Sequence, residues 1–202
     1  MNNLPLDAIF KVFKSFVPIN EQELKVIVKR ASVVHLPKKT KILQIGEVCN
    51  HMYFVISGCL RLYYLKKKNE DYIERNCFFF HEGLFCTAFG SFMMQRPSDQ
   101  IMETIEDTTC LCITYDELEE IYEVMPKMNV VVRKIVSERY ANAHEIIASF
   151  ILQSPEQRYL GFIDKYPKLV NRIPDYHISS YLGITPKSFS RLKKRLYQKQ
   201  KR

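Results

Sequence analysis

Four side chains near the end of the chain, Lys187, Ser190, Arg191 and Lys194, recur three and four residues apart and so would share one face of a helix. Ammonium, guanidinium and hydroxyl groups in that arrangement can bind the phosphate oxygens and base edges of a nucleic acid. They stand in Asp175-Tyr-His-Ile-Ser-Ser-Tyr-Leu-Gly-Ile-Thr-Pro-Lys-Ser-Phe-Ser-Arg-Leu-Lys-Lys-Arg-Leu196, whose remaining positions have the spacing of a helix-turn-helix. Counted from Gly183, apolar residues fall five before (Ile178), one before (Leu182), one after (Ile184), six after (Phe189) and nine after (Leu192), with the small Ser179 four before. Gly183 suits the positive φ of a tight turn, and Ser179 allows two helices to approach closely. Thr185 is expected to cap the second helix, with Pro186 as its first residue. Lys187 and Arg191 lie one helical turn apart with Ser190 between them, in reach of base edges. Thr185, Ser188 and Lys194 are better placed for phosphates.

The charge distribution agrees with that reading. Residues 153–202 hold 12 Lys and Arg against 3 Asp and Glu, while residues 1–152 hold 18 against 19, so the whole positive excess sits in the last quarter. A basic end on a mixed-sign body is the footprint of a protein that approaches a polyanion from one side. A disordered basic tail would not need the ordered apolar spacing of Ile178, Leu182, Phe189 and Leu192.

Other chemistry has weaker support. The five histidines (His35, His51, His81, His144, His177) form no His-x-His pair for a cupin-type metal centre, and the six glycines make neither a G-x-G-x-x-G nor a P-loop. Cys110-x-Cys112 on a strand would point both thiols to one face, a redox pair or metal half-site at most; two small core side chains is the better reading. Glu106-Asp107 and Glu117-x-Glu119-Glu120 lie in a stretch, Ser98–Glu123, without Lys or Arg. An acidic face for contact with another protein fits it better than a paired-carboxylate active site. No catalytic residue, metal or cofactor is therefore expected. The composition, 47% hydrophobic and 26% charged over 202 residues, is that of a folded protein. The longest uncharged runs, Val48–Leu60 and Gly83–Gln95, fall short of the roughly 18 to 20 residues that cross a bilayer. With no secretory signal at Met1-Asn2-Asn3-Leu4-Pro5, a cytoplasmic protein with reduced cysteines is expected.

Elements that would position the hairpin can be read from periodicity. Residues 4–30 have helical spacing, broken at Pro18 and restarted by the capping pattern Asn20-x-x-Glu23. From Val33 to Ile113 the period is two, predicting strands at Ser32–Leu36, Met52–Ser57, Cys59–Leu65, Tyr72–Phe78, Met102–Glu106 and Thr109–Thr114 in a small antiparallel sandwich or barrel. Residues 81–95 read as a loop with a short helix. After Pro126 a helix runs to about Gln153. Met128, Val132, Ile135, Arg139, Asn142 and Ile146 form a heptad-like seam, and Val136, Tyr140, Ala143, Ile147 and Phe150 a second stripe. A helix of this length overruns the β domain, so one stripe is expected to meet a second copy, and the seam with its register-fixing Arg139 and Asn142 is assigned to the dimer. Ser154-Pro155 is the hinge to a further helix, Pro155–Lys165. The expected organisation is an effector-like domain with N-terminal helices (1–125), a dimerisation helix (126–153) and a DNA-binding domain (154–202), an α+β fold.

The chain resembles the Crp/Fnr-type bacterial transcription regulators, most specifically at Tyr53-Phe-Val-Ile-Ser-Gly-Cys-Leu-Arg-Leu-Tyr63 and at Tyr176–Leu196, where it is similar to the effector-orphan members of Bacteroidetes-type bacteria. The resemblance implies an N-terminal cyclic-nucleotide-binding-like β-roll, a long dimerisation helix and a C-terminal winged helix-turn-helix. It implies as partners a palindromic duplex operator, a second copy of the chain and RNA polymerase. Pro186 stands where the cyclic-AMP receptor protein has an arginine, which implies a different operator base there. In cyclic-nucleotide-binding members a Gly-Glu-Leu segment, followed by Arg-Ser/Thr-Ala, holds ribose and phosphate. The matching stretch here, with Glu82, Gly83, Arg96, Ser98 and Asp99, aligns Ser98 with the phosphate arginine, and Arg96 reaches that place only with a two-residue shift. Cyclic-nucleotide control is therefore not expected, and the effector stays open. The oxygen-sensing branch clusters cysteines near the N-terminus, whereas the first here is Cys49. The alternative is a ligand-binding β-roll, not an enzyme, whose basic hairpin serves protein contacts.

Overall fold

The computed structural model describes residues 11–15 and 17–200. Among the described residues eight strands form two four-stranded sheets: β1 (Ser32–Leu36), β8 (Thr108–Thr114), β3 (His51–Ser57) and β6 (Phe85–Cys86) in that order, and β2 (Lys41–Leu43), β7 (Ile101–Thr104), β4 (Leu60–Lys68) and β5 (Asp71–Phe80). The pairing of β8 with β1 and β3 is antiparallel, with Val34 opposite Cys110 and Phe54 opposite Leu111. Strands β2 and β6 lie outside the sequence-based expectation because two or three residues are too few to display a period of two. The other six are found within a few residues of their expected bounds.

Besides the helical residues 11–15, the described helices are α1 (Glu21–Arg30), α2 (Phe89–Met94), α3 (Tyr115–Val124), α4 (Met128–Leu152), α5 (Pro155–Lys165), α6 (Asp175–Tyr181) and α7 (Pro186–Gln200). Three start at reciprocal caps that the sequence dictates. Asn20 and Glu23 open α1, Thr114 and Glu117 open α3, and Ser154 and Gln157 open α5 with Pro155 at the first helical position. None of the helices is long and apolar enough to cross a membrane among the described residues. No strand follows β8 among the described residues, and 166–174, between α5 and α6, consists of turns and bends.

The chain divides into two compact units. The first comprises 1–62 and 79–139, the second 63–78 and 140–202, so the β4–β5 hairpin and α4 each contribute to both. The first unit's core joins Phe13, Leu24 and Ile27 to Phe54 and Leu111 of the sheet and to Ile121, Met128 and Val131. In the second, Tyr159, Phe162, Leu169, Ile173, Ile178, Leu182, Phe189 and Leu192 are buried.

On the long helix, the residues of the expected dimer seam have partners within the protomer. Met128 and Val131 are buried in the first unit, and Val132 and Ile135 line an apolar cavity there. The Arg139 guanidinium lies 4.6 Å from the centroid of the Phe80 ring. Asn142 Oδ1 accepts a hydrogen bond from Lys165 Nζ at 2.7 Å, and Ile146 is half-buried. The seam assigned to the dimer is thus engaged within the protomer. The large apolar side chains left exposed are Tyr140, Ile147 and Ile151, on the second stripe and its continuation, together with Phe150 and Leu152. Heptad spacing alone does not tell an inner face from an intersubunit one, and the polar Arg139 and Asn142 find their reason in intramolecular partners.

Candidate nucleic-acid interface

The hairpin of α6 and α7 is built as the spacing predicts. Ile178, Ser179, Leu182 and Phe189 are at most 1% exposed and Leu192 only 5%, so both helices turn their apolar sides inward. Phe189 meets the Tyr159 ring edge-on at 4.8 Å between centroids, which seats the second helix of the hairpin on α5. Thr185 Oγ1 accepts from the Ser188 backbone N–H at 3.2 Å, capping α7 ahead of Pro186. Gly183 has φ +73°, and a Cβ there would lie 2.9 Å from the Phe150 ring. Left-handed backbone costs an L-residue roughly 1–2 kcal/mol, and the ring edge must also give way. Gly183→Ala is therefore expected to destabilise the helical unit by about 1–2 kcal/mol, read as a lower melting temperature; an unchanged melting temperature would show that the turn tolerates a side chain.

Arg158 locks that turn, a role no sequence motif announces. Its Nη1 donates to the Gln153 carbonyl at 2.7 Å and its Nη2 to the Leu182 carbonyl at 2.9 Å, while the guanidinium stacks on the Phe150 ring. Burial lowers its pKa from the ordinary arginine value. A second anchor comes from the β4–β5 hairpin. The Asn76 N–H donates to Ser180 Oγ, Ser180 Oγ donates to the Glu74 carbonyl at 2.6 Å, and Asn76 Nδ2 donates to the His177 carbonyl. The sequence spacing singles out only the neighbouring small Ser179; the hairpin partners lie 101 or more residues away in sequence and leave no local signal.

The cations of α7 fall into two sets. Lys193 pairs with Asp175 at 2.9 Å, and Arg195 and Lys199 both pair with Glu156, so these three fasten the helix to α6 and α5. Both cations hold the Glu156 carboxyl below the usual range, Lys199 most strongly. Lys187, Arg191 and Lys194, at i, i+4 and i+7, are exposed and have no hydrogen-bond or ion-pair partner among the described residues; Thr185, Ser188 and Ser190 are exposed beside them. The result is a rigid helix whose outer face presents unengaged donors.

The residues matched to the cyclic-nucleotide cassette are arranged differently. Glu82 Oε1 accepts from the Gly58 N–H at 2.8 Å, and Gly83 takes φ +83° in the turn that follows β5. Ser98 is 5% exposed, its N–H donating to the Glu47 carbonyl and its carbonyl accepting from the Gly46 N–H, both at 2.8 Å. Its hydroxyl exchanges hydrogen bonds with the Gln100 backbone. Arg96 and Asp99 are exposed. A buried ion pair that sequence reading passed over, Arg61 with Glu103, joins β4 to β7.

Elsewhere the chemistry-bearing residues serve the fold. Burial pushes Cys110 up to about 12 and Cys112 up to about 11, so both stay thiols at neutral pH. No group of three or more His, Cys, Asp or Glu among the described residues is placed to hold a metal ion. In the acidic stretch, Glu117 caps α3, Asp107 accepts from the Lys38 N–H, and Glu120 pairs with Arg30.

Residues 33–124 match the cyclic nucleotide-binding domain family. The chain is 25% identical over 193 residues to the anaerobic regulatory protein of Pasteurella multocida, covering 88% of this chain and 68% of that one. The corresponding protein of Haemophilus influenzae is 25% identical over 189 residues, 86% and 70%. In fold the chain is similar to the c-di-GMP-responsive global regulator of Xanthomonas campestris, with a TM-score of 0.71, 16% identity, and 90% and 93% of the two chains covered. A crp/fnr-family regulator structure from Eubacterium rectale gives 0.68, 19%, 92% and 88%. The chain thus joins a stretch that matches the cyclic nucleotide-binding domain family, residues 33–124, to a helix-turn-helix with an open cationic face, and its fold is similar to that of a solved crp/fnr-family regulator.

Proposed function

We propose that the protein is a homodimer that reads a palindromic operator with α7 in the major groove and does not answer to cyclic nucleotides. The observation that carries the reading is the division of the α7 cations, three fastened to neighbouring helices and three left open on one face. Lys187 and Arg191 point to bases, with Ser190 between them, and Thr185, Ser188 and Lys194 to phosphates. Exposed Tyr140, Ile147 and Ile151 on α4 favour dimerisation through that stripe, since an apolar helix face in water is stabilised by a second copy.

Selection from a random duplex pool is expected to return an inverted repeat whose binding weakens steeply with salt. Ile147→Glu with Ile151→Glu is expected to give a monomer by analytical ultracentrifugation and to lose the inverted repeat. A dimer of unchanged mass would place the interface elsewhere, and protein that retains no DNA would favour the protein-contact reading of the basic hairpin.

For the effector, a cyclic phosphate needs a charge-assisted partner in a partly closed pocket. With Ser98 bound to backbone and Arg96 and Asp99 in solvent, that partner is lacking at the matched positions. Isothermal titration with cyclic AMP and cyclic GMP is expected to show no binding tighter than about 10 μM, and tight binding abolished by Arg96→Ala would overturn this. The exposed acids of the α3 region are a candidate contact for RNA polymerase, and the cytoplasm is the compartment that such a role requires.

A further inference from the structure

Within the first unit, where the start of α4 packs on the sheet β1-β8-β3-β6, α1 and α3, there is a cavity of about 40 Å³. Phe13, Phe54, Phe85, Met128, Val132 and Ile135 form much of its wall, and the other lining side chains are apolar too, the only side-chain heteroatoms among the described residues being the sulfurs of Met52, Met128 and Cys112. We propose that this cavity is a binding site for one small apolar molecule, of the size of a dissolved gas or a short hydrocarbon.

The argument is one of size, polarity and stiffness. A water molecule needs a void of roughly 10–15 Å³ and two to four polar partners. This cavity has the room and lacks the partners, so water gains little by entering. An anion or a hydrogen-bonding metabolite would lose its solvation with nothing in exchange. The Cys112 thiol, held protonated by burial, brings no charge to the wall. An apolar solute, in contrast, restores the dispersion contacts that the lining atoms lack across the gap. Engineered apolar cavities of about 150 Å³ accept benzene or xenon, so a space this much smaller selects the smaller solutes.

Collapse is the usual fate of such a space, and here the frame resists it. Phe85 meets Phe13 edge-on with centroids 5.8 Å apart and is tilted against Phe54 at 5.1 Å, so three rings brace one another around the opening. The opposite wall is the first turns of α4, whose Met128 is 2% exposed and fixed in the core. Four packed elements thus hold the gap open. A ligand here would touch the helix that continues into the second unit.

Xenon is the probe, applied under pressure to the full chain with methyl-labelled Met and Ile and followed by nuclear magnetic resonance. The expected result is a saturable shift of the Met52, Met128 and Ile135 methyls, with only a small linear drift at exposed Met94. Val132→Leu, which adds a methylene to the wall, should abolish the saturable component while keeping the native methyl dispersion; if that variant does not fold, Ala31→Val fills the same space from the residue that follows α1. Linear drift of equal size at Met94 and Met128, or saturation that persists unchanged in a folded filled variant, would overturn the proposal.

Discussion

Glu103→Ala should be the most destabilising single exchange among the polar residues, costing about 3–5 kcal/mol. The Arg61 and Glu103 side chains are 5% and 12% exposed, and Nε donates to Oε2 at 2.9 Å, with Nη2 on the same oxygen. A carboxylate this enclosed neutralises a guanidinium that water cannot reach. Its removal takes the Glu103 carboxylate from a buried cation in a sheet where Leu60, Leu62, Tyr63 and Met102 are all buried. Against a total stability of about 5–15 kcal/mol, the loss takes a large share. The same physics predicts that Arg61→Met with Glu103→Leu recovers most of it, because two apolar side chains of similar volume need no partner. Urea denaturation measures both: the single variant should lower the midpoint at unchanged slope, and the double variant should return it towards the starting value. A cost of less than about 1 kcal/mol for the single exchange would mean that solvent reaches the pair, as at a surface salt bridge.

That ion pair also marks where sequence reading stops. Arg61 and Glu103 are 42 residues apart, on strands whose alternation gives no sign that charged residues face inward, so only the sheet order β7-β4 brings them together. The helix-turn-helix was legible for the opposite reason. Every constraint on it, from Ile178 to Leu192, lies within one short segment, and the turn at Gly183, the cap at Thr185 and the buried Phe189 each follow from local chemistry. Caps at Asn20 and Ser154 were readable for the same cause. Arg158 and Asn76 were not, because their role is to reach backbone carbonyls and hydroxyls that the fold delivers from afar. On α4 the two apolar stripes were visible, but which one faces inward depends on Phe80 and Lys165, and neither is on the helix.

The second large effect is on DNA. Arg191→Ala is expected to cost about 1–3 kcal/mol on the selected operator, or roughly 5- to 150-fold in affinity, and to relax the preference at one base position. The guanidinium is exposed on the open face of α7, and a planar fork that meets no protein partner among the described residues is free to donate twice to one base. Lys194, one turn further along, is placed for a phosphate. Lys194→Ala should weaken all sequences alike and lower the salt slope by about one. Arg195→Ala is the control on the fastened side, since its guanidinium already belongs to Glu156. It should leave the base preference as it was, any effect coming through the seating of α7 on α5. Fluorescence anisotropy on the selected duplex, on single-base variants of it and on random duplex, at two salt concentrations, separates these outcomes. Equal losses from Arg191→Ala and Lys194→Ala on cognate and random DNA would remove Arg191 from base reading and leave α7 a purely electrostatic contact.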